Sequence, residues 1–168
     1  IKPYPDHSND KFMAKGEHRY PNGILRTLNN STGGEFRDKF IFYAIGSLSQ
    51  TQGSEEIMLA YLSEFSSSDN CVLIYTLEAP LSPPQVNEFV EKCYKQLGAI
   101  RTQEQRPVLH FMNPDGPMPT EARLTIHKDA DCFICADYSL NCNTLILEAV
   151  SAQSTPVINK NTAAYDML

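Results

Sequence analysis

Phe40-Ile41-Phe42-Tyr43-Ala44-Ile45 is an unbroken apolar run that stops at Gly46; after a polar loop, Ser54 to Phe65 repeats Ile57, Ala60, Tyr61 and Phe65 on one helical face. A strand apolar at every position is buried on both sides, as the strands of a parallel sheet are. Glu55 and Glu56 fall in the first helical turn, where acids favour the helix dipole. The same alternation continues outward. Cys71-Val72-Leu73-Ile74-Tyr75 reads as a second strand, and Pro83-Pro84 opens a helix with the seam Val86, Phe89, Val90, Cys93, Tyr94 and Leu97, stopped by Gly98. Val108 to Phe111 is a third strand, Asn113 to Pro119 a loop, Thr120 to Lys128 a helix and Cys132 to Ala136 a fourth strand. Thr144 to Gln153 is apolar nearly all round, which predicts a buried helix. Pro156 to Ile158 is a short strand, and Thr162 to Leu168 starts a further helix.

Strands and helices that alternate with short connections form right-handed βαβ units. The expected fold class is therefore α/β, a Rossmann-like three-layer, doubly wound parallel sheet. In such sheets a ligand binds beyond the carboxyl ends of the strands, where strand order reverses. The site is expected in the loops after Ile45, Tyr75, Phe111, Ala136 and Ile158.

Composition narrows the function. The chain has 168 residues, 42% hydrophobic and 20% charged, which suits one ordinary core. A net charge of -6 argues against nucleic acid, whose binders need clustered Lys and Arg. No run reaches the roughly 18 apolar residues of a membrane span, and the start Ile1-Lys2-Pro3-Tyr4-Pro5 has no secretion signal. Five cysteines, an odd number, favour reduced thiols and a cytoplasmic setting.

Two loops carry the candidate chemistry. Gly46 to Gly53 joins the first strand to its helix, and glycines at both ends permit close approach of a phosphate; the loop matches neither the Walker pattern nor G-x-G-x-x-G, so taken alone it reads more readily as an ordinary βα turn. Asn143-Thr144 begins the fourth helix, whose first amides either bind an anion or are capped by Asn143 itself. Glu148, four residues on in an apolar helix, needs either a structural partner or a ligand hydroxyl. Cys132 and Cys135 have metal-like spacing but point to opposite faces of a strand, which makes them core thiols. Cys142 is a lone loop thiol. His110 stands at a strand end on the ligand edge, where it contacts a ligand or is satisfied within the fold. His7, His18 and His127 form no constellation. Asp129-Ala130-Asp131 mimics a metal-holding Asp-x-Asp, but it precedes a strand and so falls at the edge away from the crevice.

Taken in order, these segments resemble the C-terminal domain of the retaining family-four (group 1) glycosyltransferases of the two-domain GT-B type, over roughly Tyr20 to Leu168. Pro21-Asn22-Gly23-Ile24 is similar to a segment common just before that domain. Phe42 to Gly46 with Gln52-Gly53 is similar to its first strand and Gly-Arg-…-Lys-Gly loop, and Ala130 to Ile134 to its Ala-Asp-x-Phe strand. Leu147-Glu148-Ala149-Val150-Ser151-Ala152 through Thr155-Pro156-Val157-Ile158 resembles the Leu-Glu-Ala-Met-Ala-x-Gly-x-Pro-Val-Ile block and is the most specific match.

The resemblance implies residues 1–38 as a linker or remnant of a preceding domain, and 39–168 as a nucleotide-sugar-binding domain truncated at its C-terminal end. The implied activity is transfer of a hexose from UDP- or GDP-hexose to a glycan, lipid or protein acceptor held by a separate N-terminal domain. The implied donor site is Gly46, Ser47, Gln52, Gly53, Asn143, Thr144 and Glu148, with the diphosphate at the Asn143–Thr144 helix start and Glu148 on the ribose. No cofactor or metal is implied, because arginine, lysine and the helix dipole neutralise the leaving group. No transmembrane segment is implied; the implied location is cytoplasmic, and any membrane association is peripheral, through the missing domain.

The departures from the pattern define the alternative. Ser47 and Gln52 replace the phosphate-binding Arg and Lys, Leu140 replaces the first Glu of the Glu-x7-Glu pattern, and Asn143 replaces the glycine after it. Single donors at oxyanion sites contribute about 3–4 kcal/mol, so losing two cations withdraws substantial charge stabilisation. An inactive binding or scaffolding module is one outcome; cations supplied by Lys160, Arg101 or another domain are the other. A generic NAD-type binder lacks its G-x-G-x-x-G.

Overall fold

The computed structural model describes residues 36, 38–49, 52–98, 102–112, 118–138 and 144–160. Five strands, β1 (Phe40–Gly46), β2 (Cys71–Leu77), β3 (Val108–Met112), β4 (Cys132–Cys135) and β5 (Thr155–Ile158), form one parallel sheet in the order β3-β2-β1-β4-β5. The helices between them are α1 (Ser54–Glu64), α2 (Pro83–Gln96), α3 (Thr120–Asp129) and α4 (Thr144–Ser151). This is the expected doubly wound α/β architecture. Elements fall within a residue or two of where the apolar runs place them, and the strongest punctuation holds: Pro83 begins α2, and Gly98 follows it at φ 69°.

The chain winds one way from β1 through β3, then returns to β1 and winds the other way through β4 and β5. Right-handed crossovers therefore put α1 and α2 on one face and α3 and α4 on the other. Two cores result. Ile57, Met58, Tyr61, Leu62 and Cys93 pack with Ala44, Leu73 and Tyr75 on the α1–α2 side. Ile126, Ala130, Ile146 and Ala149 pack with Tyr43, Val72, Ile74 and Phe133 on the α3–α4 side. Phe36, upstream of the expected domain start at residue 39, joins this second core and is 2% exposed. β2 is buried at all seven positions, as a central strand covered on both faces must be.

β1 and β2 pair over seven residues, whereas the β1–β4 ladder joins only Phe42 to Cys132 and Tyr43 to Phe133. At the amino edge the Ile41 amide donates to Asp131 Oδ2 at 2.8 Å, and the Asp131 amide to the Ile41 carbonyl at 3.0 Å.

One expectation is corrected. α4 is not buried all round: Ile146 and Ala149 face the core, but Leu147 is 38% and Val150 40% exposed. An all-apolar composition cannot distinguish a helix enclosed by the fold from one whose outer face is left open. The expected helix at 162–168 lies outside the described residues, as do Pro21 to Ile24, Arg101, Leu140, Cys142, Asn143, His7 and His18.

Candidate functional site

Strand order reverses between β1 and β4, and a cavity of about 450 Å³ opens there beyond their carboxyl ends. Ile45 of β1, Gln52 of the β1–α1 loop, Thr76 to Glu78 of β2 and its end, and Ile134 to Asp137 of β4 and its end line it. Met118 and Arg123 close one side, and Thr144 and Leu145 bring in the start of α4. Amides in a helix's first turn have no partner inside the helix, so this end of α4 presents the positive pole to the cavity. Position and depth match a ligand crevice, and the volume falls within the roughly 300–1,000 Å³ of small-molecule sites.

The glycines of the β1–α1 loop have steric work. Gly53 caps α1 at φ 65°, and a Cβ there would lie 2.3 Å from the Ala136 carbonyl oxygen; the loop thus lies directly against the end of β4. A Cβ on Gly46 would meet Gln52 Oε1 at 2.7 Å. Gln52 occupies the loop's interior. Its Oε1 accepts a short hydrogen bond from the Ser47 amide and one from Ser47 Oγ at 2.9 Å, while its Nε2 donates to Glu78 Oε2 at 3.3 Å. The amide that a cradled phosphate would take is already satisfied by a side chain.

Glu148 stands one turn into α4, and its partner comes from α3. Arg123 Nε donates to Glu148 Oε2 at 3.2 Å and Nη2 to Oε1 at 3.1 Å, with the two side chains 25% and 22% exposed. The guanidinium also reaches the Met118 carbonyl and Thr120 Oγ1, both at 3.4 Å. The hydrogen bonds from Arg123, helped by its charge, hold the Glu148 carboxyl below its ordinary range, and the same bonds to Glu148 raise Arg123.

Behind the pair lies a buried chain that corrects a second expectation. His127 does belong to a constellation: it is 0% exposed, its Nε2 is 3.6 Å from Glu148 Oε2, and its Nδ1 makes a short hydrogen bond with the Tyr43 hydroxyl. Tyr43 Oη also lies 3.3 Å from Ser154 Oγ. Burial dominates His127 and lowers its pKa, against the opposing pull of Glu148. The signal in sequence was Arg123 and His127 at i and i+4, one face of one helix.

The other singled-out residues fall away from the cavity or into the core. Cys132 and Cys135 are buried, and burial raises both thiols, Cys132 to about 11. Asp131 is spent on β1 at the amino edge, opposite the cavity, and no group of three or more His, Cys, Asp or Glu gathers in metal-binding geometry among the described residues. His110 lies on edge strand β3 in edge-to-face contact with Phe36, ring centroids 5.5 Å apart. Lys160 follows β5 and is absent from the cavity lining. No helix among the described residues is long and apolar enough to cross a membrane.

No family model and no curated protein matches the sequence. Solved structures do match in shape. An E. coli trehalose-6-phosphate structure bound with UDP-2-fluoro glucose is 15% identical at a TM-score of 0.62, covering 88% of this chain and 35% of that one. The α,α-trehalose 6-phosphate synthase of Burkholderia multivorans is 12% identical at 0.62, covering 97% and 36%. Anabaena HepE in complex with UDP and glucose is 15% identical at 0.56, covering 84% and 35%. The fold is that of a GT-B Rossmann-like domain. The chain spans about a third of the length of these structures, between 35% and 36%.

Proposed function

We propose that the chain is the donor-binding half of a retaining, metal-independent hexosyltransferase. It takes a UDP- or GDP-hexose in the cavity and presents the sugar to an acceptor held by another domain. The observation that carries this reading is the placement of α4: its start faces the cavity at the switch point, with the Glu148 carboxylate one turn behind. In the transfer, the bond from sugar C1 to the diphosphate oxygen breaks. The acceptor oxygen bonds C1 and loses its proton, and negative charge gathers on the departing diphosphate, where helix amides and a cation stabilise it. The structures of similar shape include ones bound with UDP-2-fluoro glucose and with UDP and glucose, which supports a nucleotide sugar as the ligand class.

A specific observation favours the second reading, a module that retains the fold without the chemistry. Gln52 occupies the Ser47 amide, and the described part of the β1–α1 loop carries no cation. Calorimetric titration of the chain with UDP-glucose and GDP-mannose separates the two. Saturable binding below millimolar concentration is the expected result; none at millimolar donor leaves only the module.

A further inference from the structure

We infer that Arg123 is the anion-recognising cation of this cavity, meeting the donor diphosphate from α3 in place of the cations absent at Ser47 and Gln52. The inference rests on the donor-site reading above. Among the described residues that line the cavity, Arg123 is the one Lys or Arg; Glu78 and Asp137 are the charged residues beside it. Without Arg123, the charged side chains that a diphosphate would meet there are both carboxylates, and only the helix amides of α4 would oppose them.

The geometry suits the task. Four contacts, to Glu148 Oε1 and Oε2, Thr120 Oγ1 and the Met118 carbonyl, hold the guanidinium in one orientation. Of its five N–H groups, these leave one on Nη1, so a phosphate oxygen finds a charged donor whose side-chain entropy is already spent. Glu148 is the counter-ion of this cation, and the His127–Tyr43–Ser154 chain packs behind it, with His127 Nε2 3.6 Å from Glu148 Oε2. Each carboxylate oxygen accepts more than one hydrogen bond, so Glu148 can hold Arg123 and still receive a sugar hydroxyl. Glu148, which lies behind Arg123 and outside the cavity lining, is thus a positioning residue for Arg123. Its full charge also opposes a second anion nearby, which gives the inference an effect of opposite sign to test.

The experiment adds inorganic pyrophosphate, and separately UDP-glucose, to the ¹⁵N-labelled chain, follows the Arg123 Nε–H resonance and measures both affinities by calorimetry. The expected result is a saturable shift of that resonance with either probe in the wild type. Arg123→Gln should weaken both by about tenfold or more, the scale of one charge-assisted hydrogen bond, with Arg123→Lys falling between. Glu148→Gln should tighten pyrophosphate binding. If Arg123→Gln misfolds, the wild-type resonance and Glu148→Gln still decide. UDP-glucose binding with the Arg123 resonance unmoved and both variants unchanged overturns the Arg123 assignment and leaves the donor-site reading standing. Pyrophosphate shifting Arg123 without any nucleotide-sugar binding overturns the donor-site reading and leaves an anion site. No binding of either probe overturns both.

Discussion

Arg123 and Glu148 meet in a two-pronged ion pair, Nε to Oε2 at 3.2 Å and Nη2 to Oε1 at 3.1 Å, that ties α3 to α4 beside the cavity. Both side chains are about three-quarters shielded, at 25% and 22% exposure. The pair therefore lies between exposed ion pairs, worth under about 1 kcal/mol, and buried ones, whose disruption costs roughly 3–5 kcal/mol.

Arg123→Gln is expected to cost about 1–2 kcal/mol in urea unfolding at neutral pH. The pH dependence has a defined sign. The folded pKa of Glu148 is depressed, so its contribution is present above the ordinary 4.5 and is lost as pH falls through the lowered value. The wild type should lose stability more steeply than Arg123→Gln below pH 4.5; parallel acid limbs would contradict the pairing.

Tyr43→Phe removes the hydroxyl that satisfies His127 Nδ1 and reaches Ser154 Oγ. Leaving a buried imidazole nitrogen without a partner is expected to cost about 1–3 kcal/mol. The folded pKa of His127 is lowered, so the neutral ring's contribution is full above pH 6.5 and declines as pH falls through the folded value. NMR titration should place the His127 midpoint below 6.5, and a midpoint above it would mean that Glu148 outweighs burial.

Gly53→Ala forces a Cβ to within 2.3 Å of the Ala136 carbonyl at a backbone φ of 65°. Neither side is a flexible side-chain end, so a loss of roughly 1–3 kcal/mol and displaced Ala136 amide resonances are expected. Gly46→Ala is crowded by the end of the Gln52 side chain at 2.7 Å, with the Tyr75 hydroxyl at an ordinary 3.5 Å, and should cost distinctly less. Equal melting temperatures for the two variants would refute the close contact between this loop and β4.

Asp129 near the end of α3 has a buried Oδ2 without a hydrogen-bond partner, and burial pushes its pKa up to about 6. A raised folded pKa means that its contribution is full below the ordinary 3.8 and is lost as pH rises through about 6. Asp129→Asn should therefore stabilise at pH 7.5, by about 1 kcal/mol and a few degrees in Tm after discounting for partial solvent access. The gain should fade toward pH 4.

The sheet was legible because the central strands of a parallel sheet carry their burial in their own residues: Phe40 to Ile45 and Cys71 to Tyr75 are apolar runs of strand length between turn signals. Gly46, Gln52, Gly53 and Thr144 all border the cavity or its loop for the same reason, since topology alone sends them to the carboxyl edge. What remained hidden was pairwise. Glu148 visibly needed a partner, but Arg123 is its neighbour only because α3 and α4 cover one face of the sheet, a three-dimensional fact that neither helix states alone. His127 was passed over because its meaning depends on Tyr43, a residue 84 positions away that reads simply as core.

The backbone ladder between β1 and β4 spans only two residue pairs, so beyond it the ribbons β3-β2-β1 and β4-β5 meet at the carboxyl edge through the packing of Gly53 against Ala136. A molecule lodged in the crevice would touch both ribbons and so add a second join at that edge, through side chains that the sheet's own hydrogen bonds leave unconnected.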